Sequence, residues 1–270
     1  MGKLDGRTAI VTGASRGLGF AIAKTFTTEG AKVWAPTRGF SRDVVNKIDG
    51  VSYRHIGGET WGSFNPTVLV NCAGVYGPIG PFGSNNDPDE EQWTETIETN
   101  LMLPMRMCDQ VLPGMRLRGY GKIIQISGGG ATQPMPNMGA YAASKAAVVR
   151  FAETLAEELR GTGIDVNSMA PGILNTRMLD QVIEAGPEKA GVGFHANMVR
   201  AKAKGCEQHM ENAVALAVFL ASAESDGITG KLISAQWDKW RDPVVQQAMR
   251  SKSDDWTLRR VTPELRTEQY

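Results

Sequence analysis

The sequence predicts an α/β fold: a single domain built on a Rossmann-like, doubly wound parallel sheet, with a shortened crossover near 39–66 and a C-terminal extension. Three observations carry this. Short strand-like runs, several of them apolar and β-branched, recur at 8–12, 31–35, 51–56, 67–70, 122–126, 164–169 and 229–234, as expected of a buried sheet. Helix-forming stretches separate most of them, the alternation that builds a parallel sheet. Small, glycine-rich turns follow several of the runs, at the strand ends where open α/β sheets bind ligands.

The first unit sets the theme. Residues 8–12 form a strand that runs into Gly13, Ala14, Ser15, Arg16, Gly17, Leu18 and Gly19, and a helix pattern continues to Glu29 and the C-cap Gly30. Strand, glycine turn and helix in this order make a dinucleotide site: the turn lets the backbone approach a pyrophosphate, which sits on the helix N-terminus. After the second strand an acid would select NAD by bonding the ribose 2′-hydroxyl. The chain has Pro36, Thr37 and Arg38 instead. Arg38, with Arg16, suits a 2′-phosphate, so NADP is expected over NAD.

Residues 39–66 are too short on helix signal for a full crossover. Residues 41–47 suit a short helix and 51–56 alternate as a strand, with His55 near its end, but 57–64 read as a loop. The strand 67–70 leads into Asn71, Cys72, Ala73 and Gly74, a small-residue turn that admits a ligand closely. Prolines and glycines make 75–89 a loop, with Asp87 and Pro88 opening a helix. That helix carries Trp93, Ile97 and Leu101 on one stripe. Pro104 within it cannot donate to the Asn100 carbonyl, which predicts a kink there and marks Asn100 as a proton-relay position.

Ser127 closes the strand 122–126 and stands where ligands bind. Tyr141 and Lys145 follow, four apart and so on one face of a helix. An ammonium one turn from a phenol is expected to lower the phenol's pKa and ready it for acid–base work. Residues 177–208 lack a clear pattern and read as a lid. A helix over 210–221 and the strand 229–234 complete a catalytic domain spanning 1–235. Residues 236–270 form a tail, expected to be a surface arm or subunit contact; the sharper alternative is a cap with Arg259 and Arg260 facing an anionic group.

Composition excludes several classes. Lysine plus arginine and aspartate plus glutamate are 29 each among 270 residues, so no nucleic-acid footprint is expected. Three scattered cysteines read as reduced thiols in a cytoplasmic protein, and no His/Cys spacing suggests a metal site. The start has neither signal-peptide nor myristoylation pattern, and no apolar run is long enough to span a membrane.

In this order the motifs resemble the short-chain dehydrogenase/reductase family over about residues 3–234. Residues 12–19 are similar to its cofactor turn, Asn71, Ala73 and Gly74 to its Asn-x-Ala-Gly motif, and Asn100, Tyr141 and Lys145 to its catalytic set. Pro171, Gly172, Ile173 and Thr176 resemble the loop that holds the nicotinamide amide. The resemblance implies an NADP(H)-dependent oxidoreductase acting on a carbonyl or secondary alcohol of a small molecule. Tyr141 would exchange the proton, Lys145 would bind the nicotinamide ribose, a serine would steady the substrate oxygen and Asn100 would hold a water. It also implies a homodimer or homotetramer. The rivals are an epimerase or dehydratase using the cofactor transiently, and an idle cofactor-binding or scaffold protein.

Three features depart from the family. The usual serine lies 13 residues before the tyrosine, where this chain has Gly128. Either Ser127 serves, which is the reading favoured, or the hydroxyl is lost and Thr132 substitutes. The third strand lacks the aspartate expected for adenine, with only His55 and Ile56 nearby. The final Gly-Gly is replaced by Trp237-Asp238-Lys239-Trp240.

Overall fold

The computed structural model describes residues 1–37, 48–55, 60–83 and 90–260. The strands are β1 Thr8–Val11, β2 Lys32–Thr37, β3 Val51–His55, β4 Val68–Asn71, β5 Gly121–Ile126, β6 Ile164–Ala170 and β7 Leu232–Ser234. All pair in parallel, in the order β3-β2-β1-β4-β5-β6-β7. The order reverses between β1 and β4, so a crevice opens beyond the carboxyl ends of those two strands. The helices are α1 Gly17–Thr28, α2 Glu90–Ile97, α3 Leu103–Arg118, α4 Gly139–Glu158, α5 Arg177–Ala190, α6 Val192–Lys204, α7 Glu207–Ala221 and α8 Pro243–Met249.

The central strands are buried and mostly apolar because both faces are covered. Ala9 and Val11 of β1, Val68 and Val70 of β4, and Ile124 and Ile126 of β5 pack into one layer with Ile22 and Phe26 of α1 and Leu216 and Phe219 of α7. The alternate residues Ile10, Leu69 and Ile123 pack into the other with Val111 and Met115 of α3 and Leu155 of α4. This two-residue alternation is the strand's own geometry. Each such side chain, fully buried, contributes about 1.5–3 kcal/mol.

Between β3 and β4 the described residues hold only a 3₁₀ turn, Trp61–Phe64. Trp61 is fully buried, and Phe64 stacks on Trp34 with ring centroids 4.0 Å apart. Aromatic bulk thus covers the sheet where the sequence lacks a helix pattern. The helix expected over 41–47, the helix start at Asp87 and Pro88, and Arg38 and Ile56 all lie outside the described residues.

The irregular reading of the 177–208 lid segment needs correction. Residues 177–208 are mostly helical: α5 bends at Gly186 (φ 77°), and Gly191 (φ 86°) separates it from α6. Leu179, Val182 and Met198 from these helices bury themselves against Met138 and Tyr141. The Gly186-Pro187 and Gly191 breaks scatter a helical pattern that is otherwise amphipathic.

The described part of the tail, to residue 260, runs along the β7 edge and the outer parts of α4 and α7. Leu232 N–H donates to the Trp256 carbonyl at 2.7 Å, and Trp240 is buried against Phe219. Leu258 N–H donates to Glu153 Oε1 at 2.6 Å. Arg259 pairs with Glu153 and Asp254 of the protein itself, at 3.5 and 2.9 Å.

Candidate active site

The turn after β1 is built from backbone. Gly13 (φ 69°) lies against the turn after β4: a Cβ there would come 2.8 Å from Ala73 Cα. Thr12 Oγ1 ties the same two turns together by accepting from Cys72 N–H and Ala73 N–H, each at 3.0 Å. Gly17 (φ 55°) opens α1, and a Cβ on it would lie 3.3 Å from Thr176 Cγ2 in the loop after β6. The first N–H groups of a helix have no carbonyl partner within it, and the first turn of α1 holds no acidic side chain. Arg16, at the N-cap, is exposed, and Ser15 and Gly17 are half-buried. This cradle fits a dinucleotide pyrophosphate, with Gly13, Ser15, Arg16, Gly17, Leu18 and Gly19 around it. On the far side Gln236 Nε2 donates to the Pro171 carbonyl at 2.7 Å and backs Gly172 (φ 85°). Ile173 offers its carbonyl to the His209 ring at 2.9 Å.

Pro104 leaves its mark as a wider turn. Between α2 and α3 the helix takes a π turn over Glu98–Met102, in which Leu103 N–H donates to the Glu98 carbonyl. Asn100 lies in this turn, and its side chain is a clamp. Oδ1 accepts from Val75 N–H and Nδ2 donates to the Val75 carbonyl, both at 2.9 Å; Nδ2 also donates to Ser144 Oγ at 2.9 Å. Ser144 Oγ donates in turn to the Tyr141 carbonyl at 2.7 Å. One buried amide therefore joins the turn after β4 to α4, the helix of Tyr141 and Lys145. Gly74 keeps the space between Asn100 and Lys145 open: a Cβ on it would lie 3.4 Å from Asn100 Oδ1 and 3.6 Å from Lys145 Nζ.

Tyr141 and Lys145 share a face of α4, both buried, as their spacing predicts. Lys145 Nζ donates to the Ile126 carbonyl at the end of β5 at 2.8 Å and lies 5.6 Å from the Tyr141 ring centroid. Gly128, not Ser127, faces the Tyr141 hydroxyl. A Cβ at 128 would overlap that oxygen and lie 3.0 Å from Tyr141 Cζ. The backbone at Gly128 is extended (φ −167°, ψ 171°), so residue 127 points the other way. Ser127 Oγ is buried and has no hydrogen-bond partner. Thr132 is exposed.

The electrostatics reverse one expectation. Tyr141 is pushed up, not down: burial dominates, and the neighbouring Tyr76 adds to it. The lid residues Leu179 and Val182 help exclude the water that an ionised phenol needs. The same burial pulls the Lys145 ammonium down to about 8, opposed by the Cys72 thiol beside it. Tyr76 packs edge-on against Tyr141 with ring centroids 4.7 Å apart at 61°, and burial raises it to about 12. The hydrogen bonds of Thr12 and Ser144 are not legible in the sequence, although both residues lie within recognised motifs; nothing local marks Tyr76.

The chain matches the short chain dehydrogenase family over residues 7–54 and 61–186. The 3-oxoacyl-acyl-carrier-protein reductase FabG of Escherichia coli is 32% identical over 246 residues, covering 86% of this chain and 96% of that protein. A Beutenbergia cavernae protein, described as an NAD(P)-dependent gluconate 5-dehydrogenase and solved with NADP, is 30% identical. Its TM-score is 0.69, over 86% of this chain and 96% of that one. A variant actinorhodin polyketide ketoreductase with NADPH gives 0.72 at 27% identity, over 87% and 97%. Because the motif residues converge in one crevice and the match runs nearly the whole length of these relatives, the chain belongs to the short-chain dehydrogenase/reductase family of oxidoreductases.

Proposed function

We propose that this protein is an NADP(H)-dependent reductase of a small-molecule carbonyl, or a dehydrogenase of the matching secondary alcohol, with Tyr141 as acid and base. The observation that carries this is the buried Tyr141–Lys145 pair beside the glycine cradle at the crevice. The nicotinamide, when bound, supplies or accepts the hydride at the carbonyl carbon. Tyr141 gives its proton to the carbonyl oxygen in the reductive direction. Burial keeps the phenol protonated at neutral pH, the form that can donate. Lys145 has two donors left beyond the one on Ile126, enough for a ribose hydroxyl. Asn71, Ala73, Gly74 and the 171–176 loop would line the nicotinamide half, and Asn100 would hold a relay water through its carbonyl. Arg16 and Arg38 would hold the 2′-phosphate; the choice of NADP over NAD is supported by the relatives solved with NADP or NADPH.

The wall facing Tyr141 is hydrocarbon and thioether: Met138, Leu179, Val182 and Met198, with Ile79 and Phe194 packed on them. It favours a carbonyl flanked by apolar groups. Fluorescence titration should give tighter binding of NADPH than of NADH. With NADPH, acetophenone and cyclohexanone should be reduced, and gluconate should not be oxidised with NADP⁺. Activity confined to polyhydroxy acids would contradict the substrate class. Tyr141→Phe should lower turnover by about 10³-fold with cofactor affinity nearly unchanged; normal turnover would end the proposal. Assembly as a homodimer or homotetramer belongs to the same reading. The small, partly uncovered Ala143, Ala146 and Ala147 of α4 support close helix pairing, and light scattering checks it. No helix among the described residues is long and apolar enough to cross a membrane.

A further inference from the structure

The substrate oxygen gathers negative charge as hydride reaches the carbonyl carbon. A single donor leaves that charge under-stabilised, and one such donor is commonly worth 10²–10³-fold in rate. At the place facing the Tyr141 hydroxyl the chain has Gly128, with no hydroxyl to offer. The adjacent Ser127 turns to the other face, and Thr132 is exposed.

We propose that Tyr76 supplies the missing hydrogen bond, so that the substrate oxygen is held between two tyrosine hydroxyls, Tyr76 and Tyr141. This rests on the oxidoreductase reading above. The two rings touch edge to face at 4.7 Å, from the turn after β4 and from α4. Neither hydroxyl is spent on a protein partner among the described residues. The Asn100 clamp ties together the two backbone segments that carry them. Val75, next to Tyr76, is held by two 2.9 Å bonds, and the same amide reaches Tyr141 through Ser144 at 2.9 and 2.7 Å. Burial keeps the Tyr76 phenol protonated and therefore a donor at working pH. Its proton stays in place throughout; the proton that moves is Tyr141's. The absence of a side chain at 128 and the presence of a phenol at 76 then form one arrangement, in which Tyr141 leans into the space above Gly128 and Tyr76 closes the other side.

The test is Tyr76→Phe, which keeps the ring contact and removes the oxygen. The probe is N-cyclohexylformamide, an apolar carbonyl that the enzyme does not reduce, titrated against the NADPH complex by nicotinamide fluorescence. Binding should weaken about tenfold or more in the variant, with NADPH affinity unchanged. Reduction of acetophenone should show kcat lowered about 10²-fold and KM for NADPH unchanged. Replacing Tyr76 by 3-fluorotyrosine, a stronger donor of nearly the same shape, should tighten the amide complex, an effect that a packing role would not produce. It also serves if the phenylalanine variant does not fold. Equal amide affinity in the parent and altered proteins, including none in any, overturns the proposal. So does a loss that falls on Ser127→Ala instead. Failure of the oxidoreductase reading has a different signature: no NADPH binding by the parent protein, or normal turnover by Tyr141→Phe.

Discussion

Two glycine-rich turns end two strands of the same sheet, and they need glycine for different reasons. After β1, Gly13 and Gly17 hold φ values of 69° and 55°, which favour a residue without a Cβ, and the backbone they shape faces a ligand. After β5, Gly128 is extended and makes no conformational demand. It is small because Tyr141 needs the space, and Gly130 is small because Ala142 of α4 lies against it, 2.6 Å from Cα to the place of a Cβ. On the function proposed above, one turn shapes the cofactor cradle and the other makes room for Tyr141. Defects in the first should therefore appear as lost affinity, and defects in the second as lost turnover.

The sharpest way to break this contrast is Gly128→Ala. The added methyl must displace the Tyr141 hydroxyl, and a shift of about 1 Å in a reacting group costs on the order of 10²-fold in rate. We expect kcat to fall by that factor while NADPH affinity stays within about threefold. Loss of affinity instead would erase the distinction between the turns.

The next effect is on stability. Folding lowers the Lys145 pKa from 10.5 to about 8, so the unfolded chain binds the extra proton between those values. Stability relative to Lys145→Met, in which that titration is absent, should rise by about 2 kcal/mol from pH 7 to 9.5. Urea unfolding of both proteins across that range checks it, and a constant difference would show that Lys145 keeps its ordinary pKa. The smallest effect is expected at Gly17→Ala. An alanine at positive φ costs about 1–2 kcal/mol, which should appear as roughly tenfold weaker NADPH binding with kcat at saturation preserved. Parallel titration and rate measurements decide it.

The contrast also explains what the sequence made legible. Strand, glycine turn and helix are local, so Gly13–Gly19 and the order of the sheet can be read along the chain. Asn100, Tyr141 and Lys145 could be placed because a proline and a four-residue spacing carry their own geometry. The need for a hydroxyl favours Ser127 over Gly128 in the sequence. The structure turns on which of two adjacent residues faces α4, a one-residue alternation that spacing does not resolve. The Tyr141 pKa failed for a similar reason: the pair was visible, but the water-excluding wall comes from Met138, Leu179 and Val182, distant in sequence and partly hidden behind glycine breaks. Tyr76 has no local signal, since its importance lies in a ring contact 65 positions away.

The π turn around Asn100 has a bearing on how this enzyme can diverge. Each helical residue advances its neighbours by about 100° around the axis. One inserted or deleted residue between α2 and α3 would swing Asn100 away from both Val75 and Ser144 and uncouple the two tyrosines at once. Length variation across residues 98–104 is therefore not tolerated. New substrate preferences would have to be written in the flanking loops and in α5 and α6, with the widened turn held at constant length as the ruler against which they are measured.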